Sequence, residues 1–375
     1  MSFRSSIPYT DLGLQHRRQV PQLLAAFRRV LSKGKFVLSE VLDDFESEFA
    51  RFCGTRHAVG VNSGTDALVL ALKVVGIRPG DEVITVPNSY LASASSIALA
   101  GGTVRFVDVA SDMNMDPKAL CRAITPKTRA IIPVHLTGRP ARMAEILGIA
   151  RRHGLRVIED AAQAAGANYR GKPVGSWGDL GCFSFHPLKN LNACGDAGAV
   201  VTSNASWAKK LKILRNHGHP HRDDCLEFSL NSRLDGLQAE ILRIKLRGLG
   251  AVTRQRKRNA ALYQSLLAGC PQVDCPQDEP GMESVYHTFV IQCEKRDHLR
   301  KHLARKGIGT AVHYPVPIHL MKVGKKLGFK KGAFPETEHL TKRILSLPIH
   351  QDLSETQIRA VALEILRFYK YPTAS

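Results

Sequence analysis

The fold is decided by residues 158–191, which read IEDAAQAAGANYRGKPVGSWGDLGCFSFHPLKNL. Two runs, LRVIEDA (155–161) and GCFSF (181–185), have the length and composition of buried strands. Polar residues follow each run at once, EDAAQ after the first and HPLKN after the second. Because an open parallel sheet binds ligands beyond the carboxyl ends of its strands, both segments are candidates for a binding site.

The same alternation of short apolar runs and helical stretches extends over residues 55–203. Further strands are predicted at 56–61, 80–87, 103–109, 129–136 and 198–203, and helices at about 62–76, 89–100, 117–124 and 140–153. Strands that alternate with helices indicate βαβ units and a mainly parallel sheet. The segments SGT (63–65) and PNSY (87–90) also follow predicted strands, so they are expected at the same edge.

The pattern changes after residue 232. Residues 232–269 are predicted to form a long helix with a break near Gly248–Gly250, and residues 271–375 a small α+β region. A chain of 375 residues is long enough for one large and one smaller domain. We therefore predict a large domain over residues 1–245, including the N-terminal segment, and a small C-terminal domain over residues 246–375.

Within the stretch 158–191, Lys189 and Asp160 have the chemistry of a reactive site. Lys189 lies in an apolar His-Pro turn, where desolvation would lower its pKa and leave a nucleophilic amine. The alternative is an inert surface lysine. Asp160 is either a helix N-cap or a buried carboxylate that keeps the ring nitrogen of a cofactor protonated.

A third element is the helix start at Gly64 and Thr65. Free backbone N–H groups and the helix dipole at such a start can hold a phosphate, although capping by Ser63 or Thr65 is the ordinary alternative. A phosphate anchor, a ring-nitrogen carboxylate and an aldehyde-capturing lysine, all after strands, are together more specific than any one of them.

The composition narrows the class of protein without identifying it. The chain has 53 Lys and Arg against 33 Asp and Glu, a net charge of +20, with basic runs at 254–258 and 322–332. This charge suits anionic ligands, nucleic acid or merely a solvated surface, but no nucleic-acid motif is present and only 6% of residues are aromatic. Eight scattered cysteines indicate reduced thiols and no metal site. No signal peptide or membrane-spanning run is evident, so a cytoplasmic protein without a membrane partner is expected.

These motifs resemble the DegT/DnrJ/EryC1/StrS family of sugar aminotransferases, which use pyridoxal 5'-phosphate (PLP). The resemblance implies the fold type I architecture, in which a mainly parallel seven-stranded sheet lies between helices and a small α+β C-terminal domain follows. It covers nearly the whole chain. The matching stretches are KGKFVLSEVLDDFESEFARFCGTRHAVGVNSGTDAL (33–68), VPNSYLASASSIALAGGTVRFVDV (86–109), PVHLTGRPA (133–141), residues 158–191, GDAGAVVT (195–202), LRNHG (214–218), NSRLDGLQAEILRIKL (231–246) and HYPVPIHL (313–320).

The resemblance implies a role for each residue near the cofactor ring. Lys189 would hold PLP as a Schiff base and move the proton between the substrate carbon and C4′ of the cofactor. Asp160 would pair with the pyridinium nitrogen, and Gln163 would lie beside the phenolic oxygen of the ring. Tyr90 would stack on the ring face.

The resemblance also implies the residues that hold the phosphate and the substrate. Gly64, Thr65 and Ser184 would bind the phosphate, and Asn231 would reach it from a neighbouring subunit, which implies a homodimer with shared active sites. The implied substrate pocket is lined by His186, His313 and Tyr314. Two residues depart from the family pattern: Ala197 stands where glycine is usual, and Thr137 where an aromatic residue is common. Neither belongs to the cofactor set, so they bear on the substrate alone.

The implied reaction moves an amino group from L-glutamate or L-glutamine to a keto-sugar in amino-sugar, polysaccharide or antibiotic biosynthesis. The KNL and GDAG elements favour the branch that acts on 3-keto nucleotide sugars, while a carboxylated keto-sugar or a keto-cyclitol remains an alternative acceptor. Two other functions compete. In related sugar dehydratases a histidine replaces the lysine, and Lys189 argues against that reaction. A non-catalytic regulatory protein on the same fold is opposed by the intact Asp160, Gln163 and Lys189.

Overall fold

The computed structural model describes residues 6–370, and these contain thirteen strands and thirteen α-helices. The strands are β1 (His57–Val61), β2 (Glu82–Thr85), β3 (Thr103–Phe106), β4 (Thr128–Ile131), β5 (Arg156–Asp160), β6 (Asn168–Tyr169), β7 (Lys172–Pro173), β8 (Leu180–Ser184), β9 (Gly198–Thr202), β10 (Val273–Asp274), β11 (Met282–Glu283), β12 (Phe289–Cys293) and β13 (Ile344–Leu347). The helices are α1 (Leu12–Arg17), α2 (Val20–Lys33), α3 (Glu40–Phe52), α4 (Gly64–Val74), α5 (Ala92–Leu99), α6 (Pro117–Ala123), α7 (Met143–Arg152), α8 (Ala205–Leu214), α9 (Gly236–Leu267), α10 (Arg296–Arg305), α11 (Lys322–Lys326), α12 (Pro335–Arg343) and α13 (Glu355–Lys370).

Seven strands form the central sheet in the order β1-β9-β8-β5-β4-β2-β3. Strand β9 runs antiparallel to both of its neighbours, and the other pairs are parallel. All seven strands that the sequence predicts are present, within a few residues of their predicted bounds. The mainly parallel α/β sheet of fold type I is therefore confirmed.

Helix α4 illustrates how the sequence builds the layer behind this sheet. The Ser63 side chain accepts a hydrogen bond from the Asp66 N–H at 3.1 Å and so caps the first turn. Seven residues of the helix are buried, because it packs against β8, β9 and the neighbouring α5. Its N-terminus lies at the carboxyl end of β1, where the sequence predicts a phosphate cradle.

Helix α9 is continuous over 32 residues, so the predicted break near Gly248–Gly250 is wrong. A glycine inside a helix costs about 1 kcal/mol relative to alanine. Packing outweighs that cost here, since α9 contacts α2, α3 and α13 and buries Leu249 between the two glycines. The predicted domain boundary at residue 245 falls inside this helix and stays a prediction.

The C-terminal part has a sheet of its own, with antiparallel strands in the order β10-β12-β13. Its core includes Tyr263 from α9, whose ring stacks on Phe289 of β12 at a centroid distance of 5.1 Å. Across residues 6–370, no helix has the length and apolar character needed to cross a membrane.

Candidate active site

Strands β5 and β8 are adjacent in the central sheet, with Asp160 opposite Cys182. The polar segments after them therefore lie at one edge, as the sequence predicts. Asp160 is buried, and its carboxylate accepts hydrogen bonds from the Ser93 hydroxyl at 2.7 Å and from the Ala162 N–H at 3.2 Å. A buried carboxylate with only two donors retains lone pairs for a further partner.

Sequence reasoning missed the hydroxyl chain that leads to Asp160. Ser93 gives its only hydroxyl proton to Asp160, so Ser89, whose oxygen is 2.7 Å away, donates to Ser93. Both serines are buried. Ser93 lies in α5 and Ser89 just before it, so this chain ties the loop that carries Tyr90 to the carboxylate.

The acidic pair at the end of β5 divides into two roles. Glu159, which alternates with Asp160 along the strand, accepts hydrogen bonds from the N–H groups of Gly175, Trp177 and Gly178, each at 2.7 Å. It also contacts Nε2 of buried His135 at 2.9 Å. Glu159 therefore anchors the loop before β8, while Asp160 faces the candidate site.

Lys189 lies in a tight turn after β8, and its N–H donates to the His186 carbonyl at 2.8 Å. Burial lowers the pKa of its ammonium to about 8, an effect that the nearby charge of Asp160 partly opposes. A lysine amine is a nucleophile only when deprotonated, so this environment suits capture of an aldehyde. The alternative of an inert surface lysine does not fit this environment.

Gln163 has a fixed orientation. Its Oε1 accepts the Thr137 N–H at 2.8 Å, which leaves the amide nitrogen to face the Tyr314 hydroxyl at 3.4 Å. The Tyr314 ring lies 5.9 Å from the ring of Tyr90, whose side chain is 61% exposed. Burial, and secondarily the charge of Asp160, raises the pKa of Tyr314. These aromatic groups thus border the space beside Asp160.

At the predicted phosphate cradle, the backbone at the start of α4 closely approaches β8 and β9. A Cβ placed on Gly64 would lie 2.7 Å from the Ser184 Cβ, and one on Gly198 would lie 2.5 Å from the Ser63 carbonyl carbon. No side chain fits at either position. The start of α4 therefore lies directly against the end of β8, and within residues 6–370 the N–H groups of Gly64 and Thr65 have no hydrogen-bond partner, as donors to a phosphate require.

The predicted substrate residues fall into two environments. His186 is exposed, whereas His313 is half-buried, with Nδ1 2.8 Å from the Ser346 hydroxyl. Burial lowers the pKa of His313 to about 4, and the charge of Lys189 lowers it further. His287, which the sequence did not single out, likewise has its pKa lowered by burial and then by Lys189. Both imidazoles are therefore neutral and close to the lysine.

Asn231 is exposed, and within residues 6–370 no hydrogen bond joins its side chain to the site residues described above. Its backbone pairs with Asn216, and the hydroxyl of the next residue, Ser232, donates to the Asn62 side chain at 3.1 Å. Of the two departures from the family pattern, Ala197 has no positive φ, so its methyl group is tolerated. Thr137 has a φ of 64°, a left-handed conformation that costs a β-branched residue energy. Its N–H orients Gln163, a member of the predicted cofactor set, so the expectation that Thr137 bears on the substrate alone is wrong.

The chain matches one family of known proteins over most of its length. The sequence profile of the DegT/DnrJ/EryC1/StrS aminotransferase family matches residues 18–366. The chain is 44% identical to dTDP-3-amino-3,4,6-trideoxy-alpha-D-glucose transaminase of Streptomyces venezuelae over 352 residues, which are 94% of this chain and 93% of the relative.

A second relative and a solved structure extend the comparison. The chain is 42% identical to UDP-N-acetyl-3-dehydro-alpha-D-glucosamine 3-aminotransferase of Acidithiobacillus ferrooxidans over 370 residues, covering 98% of this chain and 99% of the relative. The crystal structure of S. venezuelae DesV in complex with a ketimine intermediate superposes with a TM-score of 0.96 at 42% identity, over 98% of this chain and 100% of that one.

Proposed function

The chain belongs to the DegT/DnrJ/EryC1/StrS aminotransferase family, and we propose that it transfers the amino group of L-glutamate or L-glutamine to a nucleotide-linked keto-sugar. It is a PLP-dependent sugar aminotransferase of amino-sugar biosynthesis. The observation that carries the proposal is the pair of Lys189, with its lowered pKa, and buried Asp160 at one sheet edge.

The described residues fit PLP. The start of α4 beside Ser184 would hold the phosphate, with Gly64 and Thr65 as its backbone donors. Asp160 has free lone pairs for a protonated ring nitrogen, and Lys189 offers the amine for the aldehyde. When bound, PLP acts as an electron sink that stabilises negative charge on the substrate carbon.

The chain's own residues would bind and orient the cofactor and would move the proton during the reaction. Asp160 would keep a proton on the ring nitrogen, and the Ser89–Ser93 chain would hold the carboxylate in place. Gln163, fixed by the Thr137 N–H, would direct its amide nitrogen towards the phenolic oxygen. The amine of Lys189 would carry the proton in both half-reactions, a role that contributes about 10²–10⁴-fold to a rate.

The relatives' names support a keto group at carbon 3 of the sugar. Both transaminases described above carry the amino group at that position in their names, and they share 42–44% of their residues with this chain. The net charge of +20 attracts a nucleoside diphosphate. A carboxylated keto-sugar would also be attracted by this charge and is the alternative acceptor.

A substrate screen tests this assignment. The protein is converted to its pyridoxamine form with L-glutamate, freed of donor and mixed with dTDP- and UDP-linked keto-sugars. We expect 3-keto nucleotide sugars to restore the visible absorbance of the lysine-bound cofactor at least about tenfold faster than 4-keto isomers. The reason is that misplacing the reacting carbon by one ring position lowers the reaction rate by at least that factor. A response to carboxylated keto-sugars without a nucleotide, or to 4-keto isomers alone, would contradict the proposed acceptor.

The surface supports assembly with a second copy of the chain. Val20, Leu24, Phe27 and Leu31 lie on one face of α2, and each is at least 44% exposed. A different face of the helix buries Ala26 and Val30 within the same chain. An apolar stripe of this kind marks an interaction site.

A second exposed group lies near the residue that the family resemblance assigns to a partner site. Phe228 is 98% exposed, and the loop that carries it leads to Asn231. We propose that α2 and this loop contact a second copy and that Asn231 completes the phosphate site of that copy. The amino-acid donor and this homodimer are parts of the proposal that rest on the resemblance and on these exposures.

Mixing two inactive variants tests the shared site. Lys189→Ala and Asn231→Ala proteins are unfolded together, refolded and assayed against each protein alone. If Asn231 serves the partner, a mixed dimer has one site with both residues intact, and random pairing restores about a quarter of wild-type activity. If Asn231 serves its own chain, no site in the mixed dimer is intact, so an unrescued mixture would refute the shared site.

A further inference from the structure

A second buried lysine lies behind the turn that carries Lys189. Lys245 of α9 is 8% exposed, and its ammonium donates to Oδ1 of Asn192, which is 7% exposed. Within residues 6–370 its partners are the side chains of Asn192 and His16, and no carboxylate lies in contact with it. Burial lowers its pKa to about 8. A buried charge without a carboxylate partner is costly, so its retention calls for a reason.

The hydrogen bonds around Lys245 fix the orientation of every group. Nδ1 of His16 lies 2.6 Å from the Leu12 carbonyl, which can only accept, so Nδ1 carries the ring proton. Nε2 of His16 is therefore an acceptor for the Lys245 ammonium at 2.8 Å. Because Oδ1 of Asn192 accepts from the same ammonium, its amide nitrogen must face the other way.

The amide nitrogen of Asn192 faces the turn that carries Lys189. It donates to the Pro187 carbonyl at 2.8 Å and to the Lys189 carbonyl at 3.0 Å. Both protons of the amide are thus used, one on the carbonyl of Pro187 and one on the carbonyl of Lys189 itself. The ammonium of Lys245 excludes the flipped amide, in which an oxygen would face these two carbonyls.

We propose that Lys245 is a positioning residue for the transamination: through Asn192 it holds the 187–189 turn in the conformation that presents the Lys189 amine. The inference rests on the proposed function, since it concerns the lysine that would hold PLP. A displacement of about 1 Å in a reacting group can cost about 10²-fold in rate. The gain in reaction rate from a precisely held turn therefore offsets the free-energy cost of burying the Lys245 ammonium.

Three variants separate positioning from a general structural role. Lys245→Met removes the donor, Lys245→Gln restores an amide N–H towards Asn192, and Asn192→Asp keeps a partner for Lys245 while removing both donors to the turn. If Lys245 needed only a partner, Asn192→Asp would match or exceed the wild type in melting temperature and turnover. If it positions the turn, turnover falls by a similar factor in Asn192→Asp and Lys245→Met, and it is partly restored in Lys245→Gln.

The measurements are the single-turnover rate with L-glutamate and the rate at which apoprotein mixed with PLP develops visible absorbance. We expect both to fall about tenfold or more in Lys245→Met and Asn192→Asp, with less than about a threefold change in half-saturating glutamate. In an Asn192→Ala background, Lys245→Met should add less than about twofold. Lys257→Met, on the same helix in an exposed pair with Glu283, is the control.

The outcomes separate this inference from the proposed function. A wild-type protein that neither binds PLP nor converts it with glutamate refutes the proposed function. A functional wild type with an unimpaired Lys245→Met or Asn192→Asp variant overturns the positioning role alone. Loss confined to glutamate saturation, with both rates intact, also overturns it.

Discussion

Replacing Lys189 by alanine is expected to abolish transamination, with a fall in kcat of about 10⁴-fold or more. The residue would both bind the cofactor and carry the proton, and the amine of Lys245 is not available to replace it, because it is hydrogen-bonded to Asn192 and His16. The measurement is the rate of each half-reaction, with L-glutamate and with the keto-sugar separately. The fold should survive, since Lys189 is only partly buried and its environment disfavours its charge.

Lys189→Arg is the matched control for this experiment. It keeps a positive charge at the end of the same turn but cannot form a Schiff base, so we expect it to be as inactive as the alanine variant. Substantial activity in either variant, accompanied by a borohydride-reducible cofactor adduct, would contradict the role of Lys189. Melting temperatures near that of the wild-type apoprotein would show that the loss is chemical.

Replacing Asp160 by asparagine is expected to lower kcat by about 10²–10³-fold while Lys189 still captures PLP. An amide of the same shape can keep its oxygen as acceptor for Ser93, at the cost of the Ala162 N–H contact, but it carries no negative charge to hold a proton on the ring nitrogen. Without that proton the cofactor withdraws electrons weakly, so the proton shift slows in both half-reactions. Single-turnover absorbance measurements in each direction report this rate.

Ser93→Ala provides a graded comparison. It removes one of the two hydrogen bonds to Asp160 but leaves the charge and the Ala162 N–H contact, so its loss should be much smaller. If the Asp160→Asn variant kept single-turnover rates within about threefold of the wild type, the ring nitrogen would have another partner.

The sequence predicted the parts of the site that depend on local pattern. The pattern of short apolar runs located β5 and β8; Asp160 is the last residue of β5, and Lys189 follows β8. Because parallel strands end at one edge, the convergence of these segments followed from topology alone. The resemblance assigned Asp160 to the site, and the structure adds the separate role of Glu159, which binds the loop before β8.

The sequence could not predict groups whose partners are distant along the chain. Asn192 and Lys245 are 53 residues apart, and Ser93 and Asp160 are 67 apart, so their contacts exist only once the sheet and α9 are packed. The continuity of α9 was missed for the same reason. Gly248 and Gly250 lower local helix propensity, and only tertiary packing around Leu249 compensates for it.

The most direct test of the account is to identify the lysine that holds PLP. The protein is loaded with PLP, reduced with borohydride, digested and analysed by mass spectrometry, with Lys189→Ala protein treated in parallel. We predict a phosphopyridoxyl group on the wild-type peptide that contains Lys189 and none on the variant. A modification that stays at full yield in the variant, or that maps to Lys245 or another lysine in the wild type, would contradict the central claim.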